Sequence, residues 1–333
     1  MAIDAIATVT RASAQQISWR VTRREADSAT RSTLSADLFL EDSGELPVIA
    51  QFGVRRAWHA ETAAKDLRGV GSRSDGYDGC FNIASTHGVL AGWIRKQTMV
   101  QLQQGHVQAQ LAVVEAAVRS CISDVTRFWF DLQYDELRLE REGGDIQSFS
   151  MLSEGVRNMV AMVADIAWRA AVLNPHFGEE AHLQAPGVVL IDELDLHLHP
   201  AWQRRVVDDL RRTFPKLQFI VTTHSPQIVA SVSREQVRLL DGNRLIADGA
   251  YVEGRNSNEI LEDIFDVPAR PETTQAEIDQ LYRLIEDEQF VAARKQLAVL
   301  LERLGPDDKD MVRARWMLDT EEAQQPESPP ALP

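Results

Sequence analysis

An α/β fold with a mostly parallel sheet, a helical insertion and a helical carboxyl-terminal tail is predicted by three observations. Val188-Val189-Leu190-Ile191 is an uninterrupted apolar run, as a strand buried on both faces requires. A helix-length segment opened by Pro200 separates it from a second apolar run, Phe219-Ile220-Val221, which is the spacing of a β-α-β unit. Upstream, Val156, Met159, Val160, Val163, Ile166 and Ala167 keep the one-face spacing of a long helix over 155–174, ended by Asn174-Pro175.

The elements follow in order. Residues 1–8 read as the tail of a helix with no visible beginning or N-cap. Residues 16–42 alternate loosely, as short strands do, and Leu46-Pro47-Val48-Ile49-Ala50 is a buried-strand run closed by Phe52-Gly53. The Gly-, Ser-, Arg- and Asp-rich stretch 60–79 reads as a surface loop. From 83 to 121 the pattern is helical with a break near Gly105, and Leu111, Val114, Ala117 and Val118 share a face. Strands are expected over 125–151, turned at Gly143-Gly144. The helix opened by Pro200 is expected to run to Phe214 with Trp202, Val206 and Leu210 inward. A hairpin is expected from Val237 to Ile246 around Asp241-Gly242-Asn243. Asn256 and Glu259 resemble a capping box opening a short helix through Phe265. Two or three leucine-rich helices fill 274–318, and the Pro/Glu/Gln-rich residues 321–333 are expected to be disordered. The expected division is therefore a core over 1–270 with its insertion at 83–121, a helical appendage over 271–320, and the tail.

Bulk composition narrows the function. The 333 residues are 44% hydrophobic and 26% charged, an ordinary globular balance. A net charge of −15 argues against a protein that coats nucleic acid, while leaving room for a local basic groove. Only Cys80 and Cys121 are present, outside any Cys-x-x-Cys or Cys/His cluster. That argues against a disulfide framework or structural zinc and fits a reducing cytoplasm. No apolar run reaches the roughly 20 residues of a membrane span, and no signal-peptide layout opens the chain.

Four short segments carry chemistry. In Val188-Val189-Leu190-Ile191-Asp192-Glu193, an apolar strand ends in two acids. At the carboxyl edge of a sheet, Asp192 can hold Mg²⁺ and Glu193 can polarise a water; taken alone, acids closing a strand are also common surface features. Asp195-Leu196-His197-Leu198-His199-Pro200 follows at once. Its two histidines could be read as a metal pair, but with no third ligand nearby and Pro200 opening a helix, capping and packing roles fit better. Thr222-Thr223-His224-Ser225-Pro226 comes straight after the second strand. Upstream, Met151-Leu152-Ser153-Glu154-Gly155 opens the long helix, so Ser153 and the first backbone amides aim partial positive charge outward, as an ordinary N-cap serine also would.

In chain order these segments resemble the signature (Met151 to Gly155), Walker B (Val188 to Glu193), D-loop (Asp195 to Pro200) and H-loop (Thr222 to Pro226) of ABC-type, RecF/SMC-like P-loop ATPases. Residues 44–320 look like the predicted ATP-binding proteins involved in virulence, relatives of the Septu-type anti-phage ATPase. Leu152 to Asn158 and Gly187 to Pro226 carry most of the likeness; Leu46 to Ala50 and Ser74-Asp75-Gly76-Tyr77 carry a little. The resemblance implies an AAA-type ATPase that binds ATP and Mg²⁺ and hydrolyses ATP in a cytoplasmic head-to-tail homodimer. Asp192 would hold the metal, and Glu193 and His224 would be catalytic. Ser153 and Gly155 would face the nucleotide held by the opposite subunit, and Asp195 would contact that subunit across the dimer. Gln51 would be the Q-loop glutamine, and Arg157 a second phosphate-facing group. A partner such as an HNH-type nuclease and a role in anti-phage defence or DNA transactions come with the likeness.

One part of the pattern is missing. A phosphate loop needs Gly-x-x-x-x-Gly-Lys-Ser/Thr, and none of the 18 glycines here is followed by lysine. In relatives a helix reading like Leu-Leu-Asp-Ala-Ile follows that loop, and Ala2-Ile3-Asp4-Ala5-Ile6 is similar to it. The expectation is that Met1 lies just after where the loop would end, whether by a misplaced start, a fragment or a degenerate gene. The competing function is a non-hydrolysing subunit that offers its signature helix to an intact ATPase. A self-contained OLD-type nuclease would need further acidic clusters after His224, and a transporter ATPase would have no use for the inserted helices.

Overall fold

A computed structural model describes residues 2–9, 15–22, 31–34, 44–54, 72–81, 87–106, 108–241, 244–248 and 250–324. The chain divides into two compact units between Gly254 and Arg255, earlier than the boundary near 270 that Pro271 suggested.

The first unit opens with an antiparallel sheet of β1 (Ala2–Val9), β2 (Gln15–Thr22) and β3 (Arg31–Leu34) in that order. The expected helix tail at 1–8 is thus a strand, with Ala2 opposite Thr22 and Val9 opposite Gln15. An uncapped eight-residue segment nucleates a helix poorly, whereas β-branched residues such as Ile3, Ile6 and Val9 suit a strand that a neighbour can pair. The likeness of Ala2 to Ile6 to a loop-following helix falls with it.

A parallel sheet then forms from β4 (Val48–Phe52) and two later strands. Between them in sequence come α1 (His87–Gln104) and α2 (Ala109–Cys121), broken at Gly105 as expected, where φ is +73°. The meander β5 (Val125–Asp131), β6 (Glu136–Arg141) and β7 (Ile146–Ser148) follows, with Gly143 and Gly144 both at positive φ in its second turn. Next is the long helix α3 (Glu154–Leu173), then the single turn α4 (Ala181–Gln184). Strand β8 (Gly187–Ile191) pairs parallel with β4. A Cβ on Gly187 would stand 2.1 Å from the Val48 carbonyl oxygen, so only glycine permits this approach. The expected single helix at 200–214 is two, α5 (Pro200–Gln203) and α6 (Val206–Thr213), parted at Arg204-Arg205. Strand β9 (Leu217–Val221) completes the sheet in the order β4-β8-β9, and the turn α7 (Pro226–Val229) follows.

Val48, Ala50, Phe52, Val189 and Ile191 belong to one buried core with the apolar face of α3 and with α2. On the other face of the sheet Val188 and Leu190 are half-buried and Ile220 is 52% exposed. The hairpin of β10 (Arg238–Asp241) and β11 (Arg244–Asp248) ends the unit as predicted.

The second unit holds α8 (Ser257–Asp263), α9 (Glu272–Glu286), α10 (Phe290–Leu304) and α11 (Lys309–Gln324). Asn256 caps α8 by accepting from the Asn258 N–H, but Glu259 pairs with Arg255 instead of closing a box. The helix ends at Asp263, two residues short of Phe265. Ile278, Leu281, Ile285, Ala293, Leu297, Leu300, Met311, Ala314 and Leu318 make a separate core from α9, α10 and α11. Arg270 clamps Asp308 and Asp310 at 2.8 and 2.7 Å. The expected disordered tail is helical through Gln324; residues 325–333 lie outside the described residues. No helix among the described residues is long and apolar enough to cross a membrane.

Candidate functional site

The candidate residues gather where β8 and β9 end. Ligands of parallel sheets bind at the carboxyl edge, because loops there leave backbone groups and side chains uncommitted. β8 delivers Asp192, which is exposed, and Glu193, which is half-buried. The Asp192 N–H donates to the Phe52 carbonyl at 2.8 Å, tying this edge to the end of β4. Gln51 sits level with Leu190 across that pairing, its side chain exposed between buried Ala50 and Phe52.

Thr222 and Thr223, directly after β9, organise the acids. The Thr222 hydroxyl donates to Asp192 Oδ1 at 2.6 Å and accepts from the Glu193 N–H at 2.9 Å. The Thr223 hydroxyl donates to Asp195 Oδ1, which also accepts the His224 N–H at 3.3 Å. Asp195, expected to reach across a dimer, is thus engaged with the His224 loop of its own chain. His224 itself is exposed.

The turn between Asp192 and Pro200 is held in an unusual backbone state. Glu193 has φ +50° and His197 φ +61°, the left-handed region that side-chain-bearing residues enter only when surroundings hold them there. His199 accepts from the Ala201 N–H and caps α5, so it is a capping residue as the sequence indicated. His197 Nε2 lies 3.6 Å from Glu154 Oε1 at the start of α3. Among the described residues no group of three or more His, Cys, Asp or Glu side chains is placed to hold a metal ion.

Ser153 is the N-cap of α3, its hydroxyl accepting from the Val156 N–H at 3.5 Å, and its side chain is exposed. Gly155 is buried against the 197–198 backbone: a Cβ there would lie 2.1 Å from the His197 carbonyl oxygen. The glycine therefore seats the helix end directly on the turn that follows Glu193. Arg157, just inside the helix, donates from its Nη1 to the Ser150 carbonyl at 3.3 Å.

Local contacts connect several of the residues the sequence singled out: Asp192 to the end of β4 through the Phe52 carbonyl, Asp192 and Glu193 through Thr222, Asp195 and His224 through Thr223, and Gly155 to the 197–198 backbone. Sequence reasoning missed the two threonines and the Glu154–His197 pair. The Thr-Thr dipeptide ahead of His224 was a usable signal, since consecutive side chains at a strand end face opposite ways. The cysteines stand apart: burial pushes the Cys80 thiol up to about 11 and Cys121 up to about 12, which disfavours the thiolate at both.

Residues 95–230 match the family described as "AAA domain, putative AbiEii toxin, Type IV TA system". This span contains the α3 cap, both acids and the His224 loop. Over that span the chain is similar to this AAA family. It is 39% identical over 176 residues to the "Retron Ec83 probable ATPase" of Escherichia coli, covering 52% of this chain and 32% of that protein. It is 33% identical over 136 residues to the "Septu protein PtuA" of Bacillus mycoides (strain KBAB4), covering 38% of this chain and 17% of that protein. The chain thus spans about a third or less of the length of these relatives. A solved structure described as "Structural biochemistry of ATP-driven dimerization and DNA stimulated activation of SMC ATPases" aligns over 46% of this chain and 91% of its own, with TM-score 0.33 and 19% identity.

Proposed function

We propose that this AAA-type domain works as an ABC/SMC-like ATPase and that the edge of β8 and β9 is the metal- and water-handling part of its ATP site. The observation that supports this best is the pair of threonine bridges from neighbouring residues, one joining Thr222 to Asp192 and Glu193, the other joining Asp195 to Thr223 and the His224 backbone. The exposed Asp192 offers hard carboxylate oxygen at a strand end, the donor Mg²⁺ prefers when phosphates and waters complete its shell. Bound there, Mg²⁺ would neutralise charge developing on phosphate oxygens. Glu193, one residue further, is placed to take the proton of an attacking water, and His224 to contact the terminal phosphate. The N-terminus of α3, with exposed Ser153, presents backbone amides and a hydroxyl to a phosphate held by a second copy of the chain. By the resemblance to Septu-type ATPases, closure of such a homodimer would be passed to a partner, an HNH-type nuclease being the leading candidate, in cytoplasmic anti-phage defence or DNA transactions. The helices of the second unit are the candidate docking element.

The absence of a Gly-Lys phosphate loop among these 333 residues favours a second reading, a subunit that associates with an intact ATPase without hydrolysing ATP. Phosphate release and size-exclusion at millimolar Mg·ATP separate the two. In a version that includes the phosphate loop, Glu193→Gln is expected to abolish hydrolysis, retain nucleotide and accumulate the dimer. Hydrolysis that survives the change removes Glu193 from the role of base. A wild-type chain that associates with ATP yet releases no phosphate supports the second reading.

A further inference from the structure

Thr222 engages the turn after β8 through every polar group it has. Its N–H donates to the Ile191 carbonyl at 2.9 Å, and its own carbonyl accepts the Leu194 N–H at 2.9 Å. Its hydroxyl bridges the two residues between them, donating to Asp192 Oδ1 at 2.6 Å and accepting from the Glu193 N–H at 2.9 Å. The span 191–194 is thus gripped at each residue from one position on the neighbouring strand.

We infer that Thr222 is a positioning residue for both acids of the site, setting the rotation of the Asp192 carboxylate and holding Glu193 in its left-handed backbone state. The inference rests on the reading of Asp192 as the metal-holding carboxylate. Glu193 at φ +50° has left both the strand ladder and any helix, so its N–H needs a partner outside regular structure, and the Thr222 hydroxyl is that partner. The same hydroxyl spends its hydrogen on Asp192, which fixes the direction of the donated bond. A β-branched side chain at a strand end is stiff at χ1, so the oxygen is presented from a settled direction. Serine would keep the oxygen with less stiffness; valine would keep the shape and stiffness without the oxygen. Thr223 makes the parallel contact to Asp195 and also accepts the Ser225 N–H at 3.0 Å.

Two measurements on the 333-residue chain test the assignment: hydrogen exchange of the Glu193 amide, and water-proton relaxation enhancement on titration with Mn²⁺·ATP. In Thr222→Val the Glu193 amide is expected to exchange roughly tenfold faster, the scale of one lost hydrogen bond. The enhancement should fall as it does in Asp192→Asn, and Thr222→Ser should recover both readouts. If Thr222→Val fails to fold, Thr222→Ala carries the same comparison. Unchanged exchange and enhancement in the valine or alanine variant, with enhancement lost in Asp192→Asn, overturns the role of Thr222. Enhancement that persists in Asp192→Asn overturns the reading of Asp192 instead, and the amide exchange still decides whether the Thr222 bridge exists.

Discussion

The two ends of α3 treat buried polar groups in opposite ways. Toward its carboxyl end, Arg169 is fully buried, with its Nε donating to Asp165 Oδ2 at 2.7 Å and its Nη1 to the carbonyls of Gly76 and Asp78 at 2.8 and 3.1 Å. Just beyond the helix, the Asn174 amide exchanges two hydrogen bonds of 2.8 Å with the backbone of Leu46. The Trp168 indole N–H is the one buried polar atom of this half without a partner among the described residues. At the amino end the balance reverses. Asn158 is 4% exposed, yet neither its Oδ1 nor its Nδ2 has a hydrogen-bond partner among the described residues, nor has Arg157 Nε, while Ser153 and Glu154 are exposed.

The difference separates scaffold from site. Buried polar groups that are fully paired hold the turn at 72–81 and the start of β4 against α3, where Gly76 leaves room for Leu173. Unpaired ones cost stability and are kept where something other than stability is served. The largest effect should therefore come from the carboxyl half. Arg169→Leu strands the Asp165 carboxylate in the core and should lower unfolding free energy by about 3–5 kcal/mol. Urea denaturation of this variant and of Arg169→Leu/Asp165→Leu checks the mechanism, since removing both charges should restore part of the loss. Equal loss in the single and double variants would mean the stranded charge is not the cause.

At the amino half the sign should change. Asn158→Leu removes two unsatisfied buried atoms and should leave stability unchanged or raise it by about 1 kcal/mol. A clear loss in the same denaturation assay would show that Asn158 has a partner in solution, and the contrast between the ends would weaken. A small stability loss belongs to Ser153→Arg, where loss of a long cap bond should cost about 0.5–1 kcal/mol. Its functional effect should be complete: the arginine occupies the exposed helix end, so ATP-driven association measured by light scattering should vanish. Association equal to wild type would end the reading of residues 152–155 as a phosphate-facing cap.

How much of this was legible beforehand follows the same division. Periodicity located α3, the Gly143-Gly144 turn located the meander, and uninterrupted apolar runs located β8 and β9, although only one face of that sheet is fully buried. The acids and His224 were legible because strand ends fix where such side chains emerge. Three things were not. Ala2–Val9 pairs with a strand rather than coiling, because a short segment's state is decided by a partner its own pattern does not reveal. Arg169, read only as a position on a helix, owes its role to a glycine and an aspartate some 90 residues away in sequence. Thr222 carries no chemistry alone and acquires it only when β9 lies beside β8.

The central claim, that Asp192 anchors an ATP site to which these residues contribute no glycine-lysine loop, is tested most directly by isothermal titration of Mg·ATP. The 333-residue chain and its Asp192→Asn variant would be titrated side by side. The expected result is binding weaker than micromolar that needs Mg²⁺ and disappears in the variant, because carboxylate and helix-end contacts are present while loop amides and lysine are not. Micromolar binding by the chain, or binding indifferent to the loss of Asp192, would contradict the account.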